Sequence, residues 1–318
     1  MKKRSISTFI MFVLTIIALA SFFCLWYLNK DMHSQITKTL VLRNEVVTDY
    51  KPDKVKINKA NDVEAKTLTF VDKYLLRKVD HAALLRKNKD YDQWLYYPES
   101  TFDFPVVMEP EVGKYHYDML DFNQKWTGTG NPLIPKSPNE TDFRTLILAH
   151  RMVNYWKPED YLFSHLPDRW LTASLAKQHP YVYTYKGDKA YRWKVWTGLA
   201  VRGDDMIYQT PYLKNTKEYQ ELIDHVAEIA PYTIDKKPSA FTPLLMLSTC
   251  SMASDPVNIG RYCVVFKLDM IYDQKAQSLV YQDDEDRLEQ WKLENEKERL
   301  GSSFDGTSKD SQVNDQVA

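Results

Sequence analysis

Short runs of aromatic and β-branched residues, separated by polar stretches that contain proline, aspartate and glycine, recur through the middle of the chain. Runs of this kind are typical of β-strands. They occupy residues 94–97, 104–107, 115–117, 145–149, 244–249 and 261–268. The clearest hairpin pairs residues 181–185 with 191–196 around the turn 186–188. Many short strands and few helices predict a mainly β fold, a β-barrel with helices at its periphery.

Two other segments space their apolar residues three or four positions apart, which indicates α-helix. Residues 62–89 predict an amphipathic helix packed on the folded domain. Residues 217–230 predict a second amphipathic helix, which ends before Pro231. Residues 283–300 have a highly charged helical pattern, and the polar composition of residues 301–318 predicts disorder.

The amino-terminal part of the chain has the pattern of a membrane anchor. Basic residues at positions 2–4 precede an uncharged, mostly apolar segment at 9–28, which is about long enough to cross a bilayer. Basic residues on that side predict a cytoplasmic amino terminus and an external remainder. The small residues at 18–20 resemble a signal-peptidase site, so cleavage is the alternative. The apolar run continues to Trp26, which favours an uncut, single-pass anchor in the cell membrane.

These patterns divide the chain into four parts. They are a cytoplasmic tip with a transmembrane anchor (1–30), a stalk or loosely packed helix (31–61), a folded domain (62–282), and a charged helical and disordered tail (283–318). The formal net charge is −1, so no global field favours nucleic acid as a partner. The chain has 9 glycines and no GxGxxG or Walker-type loop, which argues against a nucleotide-binding fold.

Three residues at predicted strand ends have the chemistry of acyl transfer. Cys250 closes one strand, Arg261 opens the next, and His150 follows a third. They supply a nucleophile, a proton carrier and a fixed positive charge for an oxyanion or a substrate carbonyl. The alternatives are a buried structural cysteine, a solvent-facing histidine, and an arginine paired with Asp255. Zinc binding by Cys250 and His150 lacks further ligands at suitable spacing, so we expect no metal and no cofactor.

Neighbours of the cysteine add to this hypothesis. Ser248 and Thr249 directly precede Cys250 and could donate hydrogen bonds near a carbonyl. Cys263 lies two residues beyond Arg261, and its ordinary interpretation is a small buried hydrophobe. We expect two free thiols, although an oxidised pair of Cys250 and Cys263 would switch off the chemistry.

The segment Leu247-Ser248-Thr249-Cys250, followed by Arg261, resembles the signature of sortases, the membrane-anchored cysteine transpeptidases of Gram-positive bacteria. The sequence around His150 is similar to the family's histidine motif, with Ala149 and Arg151 in place of the usual glycine and asparagine. The resemblance is to class B members at the runs 93–97, 104–107 and 121–123 and at the helix 217–230. The resemblance covers residues 62–273.

This resemblance implies an eight-stranded sortase-type β-barrel with an N-terminal helix and a helix in the loop before the cysteine strand. It implies that Cys250 is the nucleophile, His150 the general acid and base, and Arg261 the group that positions the substrate or the oxyanion. The helix at 217–230, with Tyr219 and Ile223, would shape the substrate groove together with Ser248 and Thr249.

The implied activity is cleavage of a C-terminal sorting motif of secreted proteins through a thioacyl intermediate, with transfer to an amine. The acceptor would be a peptidoglycan cross-bridge or a lysine of a pilin subunit, the second in a pilin-polymerising member that assembles pili. The alternatives are a non-catalytic membrane-anchored scaffold that binds surface-protein tails and a cysteine peptidase that only hydrolyses.

Overall fold

A computed structural model describes residues 2–50, 72–98, 100–137, 144–152, 161–209, 215–250 and 260–282. Its strands are β1 (Val47–Thr48), β2 (Lys78–Val79), β3 (Tyr91–Tyr96), β4 (Asp103–Val112), β5 (Leu133–Lys136), β6 (Arg144–Leu148), β7 (Tyr181–Lys186), β8 (Lys189–Arg202), β9 (Leu244–Cys250), β10 (Gly260–Asp273) and β11 (Ser278–Gln282). Its α-helices are α1 (Lys2–Val46), α2 (His81–Lys87), α3 (Leu166–Trp170), α4 (Ala173–Gln178), α5 (Met206–Gln209) and α6 (Thr216–Ile229). The charged tail expected at 283–318 lies outside the described residues.

Eight of these strands close into a barrel. The order is β10-β8-β7-β3-β4-β5-β6-β9, and β9 pairs again with β10. The β4–β5 and β6–β9 contacts are parallel and the remaining ones are antiparallel. The strand β11 extends the sheet beyond β10, while β1 and β2 form a small separate ribbon. The prediction of an eight-stranded barrel is confirmed, and so is the helix before the cysteine strand, as α6.

Alternating side chains of β9 and β10 separate two cores. Leu245 and Leu247 of β9 pack inside the barrel with Val264 and Phe266 of β10. Their sequence neighbours, among them Met246, face outward into a second core that α6 covers. Complete burial of an aliphatic side chain contributes about 1.5–3 kcal/mol, so both faces resist a shift in strand register. The same alternation directs the later residues of β9 to fixed faces.

A buried carboxylate changes the structure expected at residues 115–117. The sequence pattern there predicts a strand, but residues His116–Asp118 form a 3-10 turn. The fully buried side chain of Glu109 accepts hydrogen bonds from the backbone N–H groups of His116 and Tyr117, at 3.0 and 2.9 Å. A strand would direct these two N–H groups to opposite sides, whereas the turn presents both to one carboxylate.

The expectation of one continuous helix over residues 62–89 is wrong for its described part, which begins at Asp72. That part contains a 3-10 turn at Lys73–Leu76, the strand β2 and the short helix α2. The side chains of Asp72 and Asp80 accept backbone hydrogen bonds and cap the two helical segments separately. Aspartate favours helix starts over helix interiors, which explains the interruption.

The helix α1 is longer than the predicted anchor. It runs without a break from Lys2 to Val46, and it is long and apolar enough to cross a membrane, a property that signal sequences share. Beyond the apolar run, Met32, Gln35 and Val46 are buried against the barrel. The first part of the expected stalk is therefore a helix packed on the folded domain. Residues 51–61 of that stalk are not among the described residues.

Candidate active site

The three residues at the strand ends meet at one cleft. Cys250 ends β9 and stands opposite Arg261 of β10 in the antiparallel register. In the parallel register of β6 and β9, Leu148 stands opposite Ser248, and the backbone N–H of Ala149 donates to the Ser248 carbonyl at 3.2 Å. A cleft of about 370 Å³ is lined by all three candidates, with Tyr115, Asp118, Asn131, Leu133, Leu148, Ala149, Gly203, Tyr208, Ser248 and Thr249.

Strand alternation explains why the three side chains share the outer face. Cys250 follows Ser248 by two residues, and His150 follows Leu148 by two, so each side chain faces the same side as the residue two positions earlier. Arg261 stands opposite Cys250 in the register and therefore faces the same side. The cysteine is partly exposed and is a free thiol. The thiol can thus be reached from the cleft.

Asp118, at the end of the 3-10 turn, holds the histidine. The Nε2 atom of His150 lies 2.9 Å from the backbone carbonyl oxygen of Asp118 and 3.2 Å from its Oδ1 atom. Because a carbonyl oxygen can only accept, this contact assigns a proton to Nε2. Asp118 thus fixes the orientation of an imidazole that borders the cleft.

Arg261 provides the permanent positive charge of the site. Its Nη1 atom donates to the backbone carbonyl of Gly260 at 2.9 Å. The guanidinium is half-buried and borders the cleft. A guanidinium has five donors in a fixed fork, so further N–H groups can bind a carbonyl oxygen or an oxyanion beside the Cys250 sulfur.

The two hydroxyl residues before the cysteine serve its support. Thr249 donates from Oγ1 to the carbonyl of Ala149 at 2.7 Å, which ties the end of β9 to the residue before His150. Ser248 shares a hydrogen bond of 2.7 Å with the hydroxyl of Tyr208. Both residues line the cleft, although less than one-tenth of either is exposed. Their hydroxyl groups form hydrogen bonds that stabilise the end of β9, and little of either side chain is exposed to a ligand.

Tyr208 and Cys263 form a layer beneath the cleft that the sequence analysis did not find as a unit. Burial is the main cause that raises the pKa of the Tyr208 phenol, with a further contribution from Cys263. Burial also raises the pKa of the Cys263 thiol to about 12, although the nearby Arg144 lowers it. Cys263 is therefore a neutral thiol at physiological pH. Cys250 and Cys263 are both free.

Two residues expected at the substrate groove are not brought to the cleft. Tyr219 and Ile223 lie on the buried face of α6, within the outer core. The Tyr219 hydroxyl donates to the carbonyl of Thr242 at 2.8 Å. Their position anchors α6 to the barrel, and neither side chain borders the cleft described above.

Comparisons with known proteins place this closed β-barrel within one class of fold. No family model and no curated protein matches the chain. Among solved structures, Bacillus anthracis sortase B is similar with a TM-score of 0.54 and 17% identity over 75% of this chain and 98% of that one.

Two further structures agree. Clostridium perfringens sortase B matches with a TM-score of 0.52 and 19% identity over 59% of this chain and 99% of that one. The Staphylococcus aureus sortase B–substrate complex matches with a TM-score of 0.50 and 21% identity over 59% and 83%. This chain has the sortase B fold.

Proposed function

We propose that this protein is a membrane-anchored cysteine transpeptidase that cleaves a C-terminal sorting motif of secreted proteins and transfers the acyl group to an amine. The observation that carries the proposal is the single cleft lined by Cys250, His150 and Arg261. A nucleophile, a proton carrier and a fixed cation are the groups that acyl transfer through a covalent intermediate requires. The sortase B fold supports the same activity.

In the first half-reaction, the Cys250 thiolate attacks a backbone carbonyl of the sorting motif. The negative charge that develops on the carbonyl oxygen is stabilised by Arg261. When the tetrahedral intermediate collapses, the C–N bond breaks, and His150, which starts as the imidazolium paired with the Cys250 thiolate, passes a proton to the leaving amine and becomes neutral. The products are a thioacyl enzyme and the released carboxyl-terminal fragment.

In the second half-reaction, an amine attacks the thioester carbon and His150 takes up the proton that the amine releases. The Cys250 thiolate then leaves, which restores the starting state. A complex of sortase B with triglycine is among the similar structures, and it supports an amine acceptor such as a peptidoglycan cross-bridge. A pilin lysine is the other acceptor, and adjacent pilin genes would favour it.

Anchoring through α1 supports the same reaction. An uncut span would place the barrel outside a Gram-positive cell membrane with its amino terminus in the cytoplasm. The exported substrate and a lipid-linked acceptor are held at that surface, so tethering the enzyme raises their effective concentration.

The central experiment compares Cys250→Ala with Cys263→Ala in the full chain. Incubation with a sorting peptide should give a thioacyl adduct, detected by intact mass, in wild type and in Cys263→Ala but not in Cys250→Ala. An adduct or full turnover in Cys250→Ala contradicts the proposal. Product analysis with and without triglycine separates transfer from hydrolysis alone.

The scaffold alternative is tested by thiol reactivity. A thiol-directed alkylating reagent should modify Cys250 and spare Cys263, because only Cys250 is accessible from the cleft and the buried thiol stays protonated. Peptide binding with an unreactive Cys250 would favour a non-catalytic binding protein.

A further inference from the structure

The loop that follows the 3-10 turn lies along α1 just beyond its apolar run. One carboxylate oxygen of Asp31 accepts from the Thr127 hydroxyl at 2.5 Å and from the Gly128 N–H at 2.9 Å. Farther along the helix, Lys38 forms an ion pair of 3.1 Å with the nearly buried Asp121. These two ties fix the loop against α1 at two levels.

The rise of an α-helix gives the height of each tie. Asp31 lies three residues beyond Leu28, the end of the apolar run, so its tie is roughly 5 Å above that end. Lys38 is seven residues farther, roughly 10 Å higher still. The headgroup layer on each side of a bilayer core is about 5–8 Å thick. The end of the loop at Thr127 therefore lies at headgroup height when the apolar run spans the membrane.

Two exposed apolar side chains stand at this lower end. Trp126, next to Thr127, is 62% exposed, and Met119, whose carbonyl accepts from the Thr127 N–H, is 39% exposed. Lys125 directly precedes Trp126, Lys30 directly precedes Asp31, and both lysines are exposed. Tryptophan is enriched at headgroup height, and lysines there attract anionic lipid.

We propose that Trp126, Met119 and Lys125 form a membrane-contact surface that seats the barrel on the lipid headgroups beside the anchor. The inference rests on the proposed anchoring of α1. Its occupant is the outer surface of the bilayer, because the surface is continuous through Asp31 with the helix that would enter that bilayer.

The contact surface is directly joined to the catalytic cleft. Met119 follows Asp118, whose carbonyl accepts from His150 at 2.9 Å. The Thr127 N–H in turn donates to the Met119 carbonyl at 2.9 Å. These two hydrogen bonds and the short backbone segment between them place His150 within roughly 10 Å of the loop at headgroup height. The thioacyl enzyme thus opens close to the membrane surface, where an amine carried on a lipid can reach it.

Depth-dependent fluorescence quenching tests the contact. The full chain is reconstituted into vesicles of phosphatidylcholine and phosphatidylglycerol whose acyl chains are brominated near the headgroup. Trp126→Phe should lose a quenched component that wild type has. The control variant Trp126→Phe/Leu85→Trp carries its new tryptophan far from the membrane. Lys87, two residues from position 85, pairs with Glu45 of α1. Glu45 lies fourteen residues, roughly 21 Å, beyond Asp31 along the helix, so the new tryptophan should emit without quenching.

The outcomes separate the surface from the proposed activity. Equal quenching in wild type and Trp126→Phe, or loss of the chain from the vesicles, overturns the contact surface. Cys250→Ala should be quenched like wild type, so an inactive enzyme still reports on the contact. The result needs no transfer reaction.

A kinetic arm tests what the surface does. Lys125→Ser/Trp126→Ser should transfer several-fold more slowly to a triglycine-bearing lipid in the vesicle and at the wild-type rate to soluble triglycine. Leu85→Ser, an exposed apolar site of similar exposure far from the contact, is the matched control and should change neither rate. An equal loss with both acceptors would show a defect of the site itself and would overturn the role in acceptor delivery.

Discussion

The Nε2 atom of His150 donates to the backbone carbonyl oxygen of Asp118, a residue 32 positions earlier in the chain. Because the acceptor is a backbone carbonyl, a conservative substitution of the Asp118 side chain does not remove it. The precision of the contact therefore depends on the 3-10 turn that carries Asp118. Glu109 fixes that turn on one side, and Gly130 makes room for it on the other.

Gly130→Ala should strongly reduce activity although Gly130 does not touch the cysteine. A Cβ atom there would lie 2.3 Å from the carbonyl oxygen of Asp118, and the positive φ of 61° already disfavours a side chain. The Asp118 carbonyl must move, so the His150 bond is lost. We expect a fall in kcat of about tenfold or more, measured with a sorting peptide and an amine acceptor.

Gly187→Ala is the matched control for this substitution. Gly187 has a similar positive φ of 56°, but an added Cβ would meet nothing within 4 Å. It should lose about 1 kcal/mol of stability from backbone strain and keep the wild-type kcat. Equal kcat in the two variants would contradict the role given to the Asp118 carbonyl.

Asp118→Asn should have a much smaller effect than Gly130→Ala. The asparagine keeps the backbone carbonyl and removes only the carboxylate charge, which lies 3.2 Å from Nε2 on a half-exposed side chain. Exposed ion pairs contribute about 0.2–1 kcal/mol, so kcat/KM should fall by no more than about fivefold. A loss as large as that of His150→Ala would mean that the carboxylate, and not the carbonyl, positions the ring. The comparison is made at matched pH and salt.

Much of the site could be predicted because it sits at the ends of regular strands. The apolar runs that end near Cys250 and His150 set the strand ends, and pairing then brings the side chains to one face. The barrel followed from the same short runs. Local patterns of this kind are visible in a sequence because strand periodicity is local.

The supporting residues could not be predicted for the opposite reason. Asp118 belongs to a turn whose geometry is set by the distant, buried carboxylate of Glu109. Tyr208 lies in the short helix α5 and meets Ser248, 40 residues later, only after the barrel closes. The break near Asp80 depends on a helix cap that the apolar spacing of 62–89 conceals. Long-range hydrogen bonds leave no periodic trace in a sequence.

Cys263 should make the protein less stable at alkaline pH. The pKa of its thiol is raised from 9.0 to about 12 in the folded chain, chiefly by burial. Between these values the unfolded chain has released the proton and the folded chain has kept it, so the free energy of unfolding falls as pH rises. One proton corresponds to about 1.4 kcal/mol per pH unit.

The measurement is denaturant unfolding of wild type and Cys263→Ala from pH 8 to pH 11. The alanine variant should start less stable, because it lacks buried sulfur contacts, and its curve should fall less steeply above pH 9. The stability difference between the two proteins should therefore narrow as pH rises. Parallel curves would contradict a thiol that stays protonated in the fold. Buried tyrosines away from Cys263 are common to both chains and cancel in the difference.

The hydrogen bond between Tyr208 and Ser248 should couple the layer beneath the cleft to the strand that carries the nucleophile. Tyr208→Phe leaves the nearly buried Ser248 hydroxyl without this partner, and Ser248→Ala does the same to the tyrosine. Each single variant should lose about 1–2 kcal/mol of unfolding free energy. The double variant should lose less than the sum, because the second substitution removes a group that is already unpaired. A coupling energy of about 1 kcal/mol is expected, and additive losses would contradict the bond.

Slower thioacyl formation in both single variants, with no further slowing in the double variant, would extend the coupling from stability to the position of Cys250.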